Sequence, residues 1–161
     1  MRKILKIIEL GHIQEYVHLL NIGSQLELAA TYRYFAQRGS VFALTSLYEP
    51  FGLAPLEAAA TGLVPVVTKN GGPSEIFSDG SGVLVDPTSS KNISKGLIDG
   101  LNRYSEISKN AMQLVKEKYT WRQTANRYLN SINDVINSKE KIGSVEQIKL
   151  NDTELIYDYL K

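Results

Sequence analysis

The sequence predicts an α/β fold, a parallel sheet covered by helices on both faces. Three observations lead there. Short apolar runs alternate with helical patterns along residues 2–137, the order expected when parallel strands are joined by crossover helices. The run Val64–Thr68 (VPVVT) is almost continuously apolar rather than alternating, which suits a strand buried on both faces. Two glycine-bearing loops, 50–54 and 69–74, directly follow strand-like runs. In parallel sheets ligands sit beyond the carboxyl ends of the strands, where such loops lie.

The chain of 161 residues suits one domain with a real core, and 43% hydrophobic with 22% charged residues is ordinary for a globular protein. A formal net charge of +1 gives no bulk field for nucleic acid or an acidic membrane surface. With no cysteine, disulfide and thiolate chemistry are excluded, which fits a cytoplasmic setting. The basic and apolar N-terminus, MRKILKIIELGHIQEY, is interrupted by Lys6 and Glu9 and lacks a small-residue cleavage site, so it is not expected to be a signal peptide. No apolar run approaches the roughly 20 residues that a membrane span needs.

The elements follow in order. Residues 2–10 carry Ile4, Leu5, Ile7 and Ile8 on an apolar stripe and stop at Gly11, which predicts a short helix. Residues 16–20 (YVHLL) predict a buried strand, with His18 packed in it rather than acting as a ligand. Ser24 and Glu27 have the capping-box spacing, opening a helix that places Leu28, Ala29, Tyr32, Phe35 and Ala36 on one face and ends at Gly39. Val41–Leu44 is the next strand. A short helix follows the turn Phe51-Gly52-Leu53, with Pro55 in its first turn and Gly62 just past its end. Val64–Thr68 follows, then a loop entering a helix at Pro73, a turn over 79–82, and a fourth strand at Val83–Val85. Asp86 and Pro87 open a helix marked by Ile93, Leu97, Ile98 and Leu101. Another spans 105–118, with Ile107, Ala111, Leu114 and Val115 inward. Thr120 and Gln123 repeat the capping-box spacing before a long amphipathic helix. Residues 1–137 are therefore taken as the folded domain, and 138–161 as a polar linker with a short terminal helix.

The chemistry concentrates in residues 44–62, LTSLYEPFGLAPLEAAATG. The turn Phe51, Gly52, Leu53 precedes a helix N-terminus, where free N–H groups and the helix dipole attract anions. Gly52 has no side chain, so a diphosphate can approach its backbone. Glu57, read as lying in the first helical turn, is either a complement to the dipole or an acceptor for a vicinal diol such as ribose. Glu49, before the turn, is either a solvated loop carboxylate or a group facing a sugar hydroxyl or developing positive charge. Gly71, Gly72 and Ser74 offer a second helix N-terminus. Lys69 beside them is better read as an exposed lysine than as a phosphate ligand, and Glu75 as a first-turn acid. His12 and His18 have no metal-ligand spacing, no metal site is predicted, and neither a G-x-S-x-G elbow nor a Walker-type loop is present. Aromatic and basic residues are not interleaved on one surface, so nucleic-acid binding is not expected.

Glu49 and Glu57, seven residues between them in EPFGLAPLE, resemble the E-x7-E motif of retaining nucleotide-sugar glycosyltransferases with two Rossmann-like domains, the GT-B fold. PVVTKNGGPSEI, GVLVDP and KYTW before a long helix resemble the same family in the same order. The set is most similar to the sucrose-phosphate synthase and sucrose synthase branch, where N-G-G-P-x-E-I is typical, and it covers roughly residues 14–137. The resemblance implies a Rossmann-like C-terminal donor domain and transfer of a hexosyl group from a nucleoside diphosphate sugar with retention at the anomeric carbon. It implies that Glu49, the catalytic candidate, contacts the donor sugar, that Phe51, Gly52 and Leu53 offer backbone contacts to sugar and phosphate, and that Glu57 binds the ribose. No cofactor or metal is implied. UDP-glucose is the donor it favours.

The family's acceptor domain, and the strand and basic residues that open its donor domain, have no counterpart in these residues. The resemblance therefore implies an incomplete donor domain whose partners are a nucleotide sugar and the missing N-terminal half, with the isolated chain inactive. The alternatives are a non-catalytic nucleotide-sugar-binding module and a fragment that self-associates through an open sheet edge.

Overall fold

A three-stranded parallel sheet in the order β1-β2-β3 carries the fold of the computed structural model, which describes residues 2–139. The strands are β1 (Val41–Leu44), β2 (Val64–Thr68) and β3 (Val83–Val85). Each matches a predicted run. Val41 pairs with Val64 through to Leu44 with Val67, and Val66 pairs with Val83 through to Thr68 with Val85. All five residues of β2 are buried, as its unbroken apolar sequence requires. Pro65 has no N–H to give a sheet, yet it sits in the central strand. The register accommodates it, because β3 pairs only from Val66 onward and β2 has a single neighbour at Pro65.

The described residues hold seven helices: α1 (Arg2–Leu10), α2 (Gln25–Ala36), α3 (Leu53–Ala60), α4 (Gly72–Ile76), α5 (Ser90–Asn102), α6 (Tyr104–Lys118) and α7 (Trp121–Lys139). The capping box forms. Ser24 Oγ accepts from the Glu27 N–H at 3.2 Å, and the Glu27 carboxylate reaches back to the Gly23 N–H at 2.7 Å. Thr120 Oγ1 likewise accepts from the Gln123 N–H at the start of α7. Gly39 and Gly62 follow α2 and α3 with positive φ of 67° and 97°, the left-handed conformation that closes a helix. Two compact units are separable, residues 1–117 and residues 118 onward. The sheet belongs to the first, and α7 to the second.

Three expectations need correction. Residues 16–20 form no strand: Gln14–Tyr16 is a 3-10 turn and 17–20 run on without ladder bonds, leaving His18, Leu19 and Leu20 exposed. A strand needs a neighbour to satisfy its backbone, and the described sheet has three strands, not four. Asp86 is not the cap of α5. Ser89 is, accepting from the Asn92 N–H, while Asp86 Oδ1 takes the N–H and hydroxyl of Thr88 in a local turn. On α5, which forms as expected, Ile98 and Leu101 are more than half exposed while Gly96 and Gly100 are buried. Finally, α7 continues to Lys139, so the expected linker does not begin at 138; the expected terminal helix lies outside the described residues.

One core cluster is the layer between β1–β3 and α5–α6. Val64, Val66, Val85 and Ile107 are buried there, with Val41, Val83, Ile93, Leu97 and Tyr104 packed against them. A Cβ on Gly96 would overlap the Val85 side chain, and one on Gly100 would press on Val41, Val64 and Val66. These glycines set how closely α5 approaches the sheet. Gly96→Ala is expected to lower unfolding free energy by about 1–3 kcal/mol in urea denaturation, an overpacking cost that exceeds the helix propensity gained. Ile98→Ala, on the exposed side of the same helix, is the comparison; equal effects would contradict the close approach.

Candidate functional site

β1 and β2 both end on the same side of the sheet, and the loops that leave them meet there. The first loop carries Glu49 and turns into α3 at Gly52, whose φ of 105° and ψ of 42° favour glycine. Glu49 Oε1 accepts from the Gly52 N–H at 3.1 Å and the Phe51 N–H at 3.4 Å. The carboxylate thus folds onto the turn in front of α3, where the dipole favours negative charge. The first helical bond of α3 is Leu56 N–H to Gly52 O at 3.3 Å. The N–H groups of Leu53 and Ala54 precede any intrahelical acceptor, and Pro55 has none to offer. Phe51 and Leu53 expose their side chains, whereas Gly52 is buried under Pro73 and Ile76.

The second loop holds the first. Glu49 N–H donates to Asn70 O at 3.2 Å, Gly72 N–H donates to Glu49 O at 3.0 Å, and Asn70 Nδ2 donates to Leu47 O at 2.9 Å. Glu49 and Gly71 form a parallel bridge outside the main ladder. A Cβ on Gly71 would overlap the Glu49 carbonyl oxygen, and one on Gly72 the backbone of Phe51. Both glycines are accordingly occupied in docking one loop against the other. Lys69 turns away to Asp86, with Nζ 2.7 Å from Oδ2. That pairing joins the ends of β2 and β3.

Glu57 lies in the second turn of α3 rather than the first, because the helix begins at Leu53. Its side chain is exposed and borders a cleft of about 260 Å³ between α2 and α3. Gln25, Leu28, Ala29 and Tyr32 line one wall, and Glu57, Ala60 and Thr61 the other. Burial, with the Glu57 charge adding to it, raises the Tyr32 hydroxyl above its ordinary pKa. The Tyr32 ring meets Phe42 edge-on at 5.6 Å between centroids, which anchors that wall to β1. Sequence reasoning assigned Tyr32 only to a helix face and gave Gln25 and Asn70 no role. Asn70 was findable, since an Asn before Gly-Gly-Pro is a residue able to tie two loops. Among the described residues, no group of three or more His, Asp or Glu side chains could hold a metal ion, and no helix is long and apolar enough to cross a membrane.

Parallel strands whose loops converge at their carboxyl ends, with helices between them, define a Rossmann-like α/β protein. The family profile described as glycosyl transferases group 1 matches residues 3–121, and the chain belongs to that family. It is 43% identical over 114 residues to a probable sucrose-phosphate synthase of Thermosipho melanesiensis, which covers 70% of this chain and 26% of that protein. Sucrose-phosphate synthase 4 of Arabidopsis thaliana is 31% identical across 100% of this chain and 15% of its own length. The chain therefore spans about a quarter, or less, of the length of these curated relatives. In structure it is similar to a sucrose-phosphate synthase from Thermosynechococcus elongatus, with a TM-score of 0.70 at 22% identity over 85% of this chain and 34% of that one. The fold is thus the GT-B type, seen here as part of a Rossmann-like domain.

The Lys69–Asp86 pair makes a pH prediction. Hydrogen bonds from Lys69 and Thr88 hold the Asp86 carboxyl well below its ordinary value. A depressed folded-state pKa contributes stability that is fully present above the unfolded value of about 4 and is lost as pH falls through the folded one. Thermal melts of wild type and Asp86→Asn are expected to differ at neutral pH and to converge in acid. A difference that stays constant down to about pH 3 would show the pair is not the source.

Proposed function

We propose that the chain supplies the donor-binding part of a retaining glycosyltransferase that moves a glucosyl group from UDP-glucose to a sugar or sugar-phosphate acceptor, as in sucrose-phosphate synthase. The observation that carries this reading is the placement of both E-x7-E carboxylates: Glu49 on the turn ahead of α3, and Glu57 on the cleft beside it. The order of the parts fits a nucleoside diphosphate sugar. The N–H groups that open α3 suit a diphosphate, and the dipole adds attraction. Glu57 is one turn away, where it accepts hydrogen bonds from a ribose diol in the α2–α3 cleft. Both turn amides sit on Oε1 of Glu49, which leaves Oε2 to accept from a hydroxyl of the donor sugar.

In the proposed reaction the bond between the anomeric carbon and the phosphate oxygen breaks, and its electron pair leaves with the diphosphate. The acceptor hydroxyl adds to the same face, and its proton passes to the departing phosphate oxygen. The contribution of this chain is to hold the leaving diphosphate at a positive helix end and to orient the sugar through Glu49. Lys69, Gly71 and Gly72 support the site from the second loop through the Asp86 pair and the backbone of Glu49 and Phe51. Fructose 6-phosphate is the acceptor that the sucrose-phosphate synthase likeness favours, and cytoplasm is the compartment that a cysteine-free chain suits. Further groups for catalysis come from the N-terminal half that such enzymes carry, so this chain alone is expected to bind donor without transferring it.

Calorimetry with UDP and UDP-glucose tests the reading. Glu57→Ala is expected to weaken UDP by about 1–2 kcal/mol, the value of hydrogen bonds to a charged acceptor. Unchanged affinity would remove Glu57 from the ribose, and no UDP binding by the wild type would sink the donor site itself.

A further inference from the structure

The α2–α3 cleft closes at one end, and a single side chain spans the closure. α2 finishes at Ala36, one turn beyond Tyr32, and α3 finishes beside Gly62, just past Ala60 and Thr61. The two ends nearly touch, since a Cβ on Gly62 would lie 3.7 Å from the Ala36 Cβ. The Tyr104 hydroxyl, from the start of α6, lies 2.7 Å from Ala36 O and 2.8 Å from Gly62 O. It has one proton for two carbonyls.

Neither carbonyl depends on it. Ala36 O already accepts from the Gly39 N–H at 3.0 Å, and Gly62 O from Ser108 Oγ at 2.7 Å. Removing the Tyr104 hydroxyl would therefore orphan no buried backbone group, the usual source of a large stability loss. What the hydroxyl adds is a link between two helix ends that, among the described residues, share no hydrogen bond of their own. Ser108, on the same helix, reaches only the α3 end.

The geometry points to Tyr104 as a positioning residue: its hydroxyl bridges the closed ends of α2 and α3 and so fixes the width of the cleft that Glu57 and Tyr32 line. Its effect on ligand affinity rests on the proposed nucleotide site, whereas its effect on helix spacing does not. A rigid wall spacing lets Glu57 meet its ligand without first drawing α2 in, which spares binding an ordering cost.

The chain has no native cysteine, so paired spin labels at Leu26→Cys on α2 and Leu53→Cys on α3 report the helix spacing in ligand-free protein. Tyr104→Phe, which keeps the ring, is expected to broaden the distance distribution. Ser108→Ala is expected to leave it unchanged even if it lowers the melting temperature more. In unlabelled protein, Tyr104→Phe is expected to weaken UDP about fivefold, one hydrogen bond's worth, and to have no further effect when Glu57 is already alanine. A wild-type distance distribution in Tyr104→Phe overturns the inference, as does a broadened one with unchanged UDP affinity. If the wild type binds no UDP while Tyr104→Phe still broadens the distances, the bridge stands and the nucleotide reading fails.

Discussion

Two loops lie against each other with no room for a side chain between them, and the site depends on that contact. The Glu49 carbonyl meets Gly71 and the Phe51 backbone meets Gly72, and the Gly72 N–H bonds back to Glu49 O. This seam decides where α3 begins, because Glu49 is held while its own carboxylate holds Phe51 and Gly52. It also decides what Lys69 does. With the loop pinned at Asn70 and Gly71, the lysine faces β3 and finds Asp86. The parallel sheet provides the seam, since only parallel neighbours send both loops out at the same end.

Energetically the unit of residues 1–117 is divided in a consistent way. Burial is concentrated in β2, β3 and the inner faces of α3, α5 and α6, while α1 and α2 have no fully buried residue. α2 is instead placed by local bonds at its start, by Tyr32 against Phe42 and by the Tyr104 bridge at its end. One wall of the cleft is thus held by a dry core and the other by a few directed contacts. Motion between them is accordingly a matter of α2 rather than of α3.

Much of this was legible in the sequence. β1, β2 and β3 have the predicted limits because each is a short apolar run ended by a turn, and the Ser24 and Gly62 signals act through local backbone chemistry that needs no tertiary partner. Residues 16–20 misled because an apolar run declares a wish for burial but not whether a neighbouring strand exists to pair with it. The sheet-facing side of α5 could not be read from its large side chains, since Gly96 and Gly100 act there through the absence of a side chain. For the candidate site, the nearness of Glu49 to the second loop followed from strand direction. Glu57 was placed a turn too early because Leu53 was assigned to the turn before α3, whereas α3 starts at Leu53 itself. The wall formed by Gln25 and Tyr32 was not readable, since nothing local to α2 announces that α3 will lie beside it.

The Glu49 carboxylate resting on its own turn has a consequence for where entropy is spent. A glycine-containing loop ahead of a helix would ordinarily sample many conformations and be ordered only when a ligand arrives. Here the Glu49 carboxylate ties the turn through Phe51 and Gly52, so its ordering belongs to folding rather than to binding. The rigidity of the loop is then borrowed from the sheet beneath it. A substitution that loosens β2 or α5, touching no residue of the cleft, would surface as a softer turn before it surfaced as an unfolded chain.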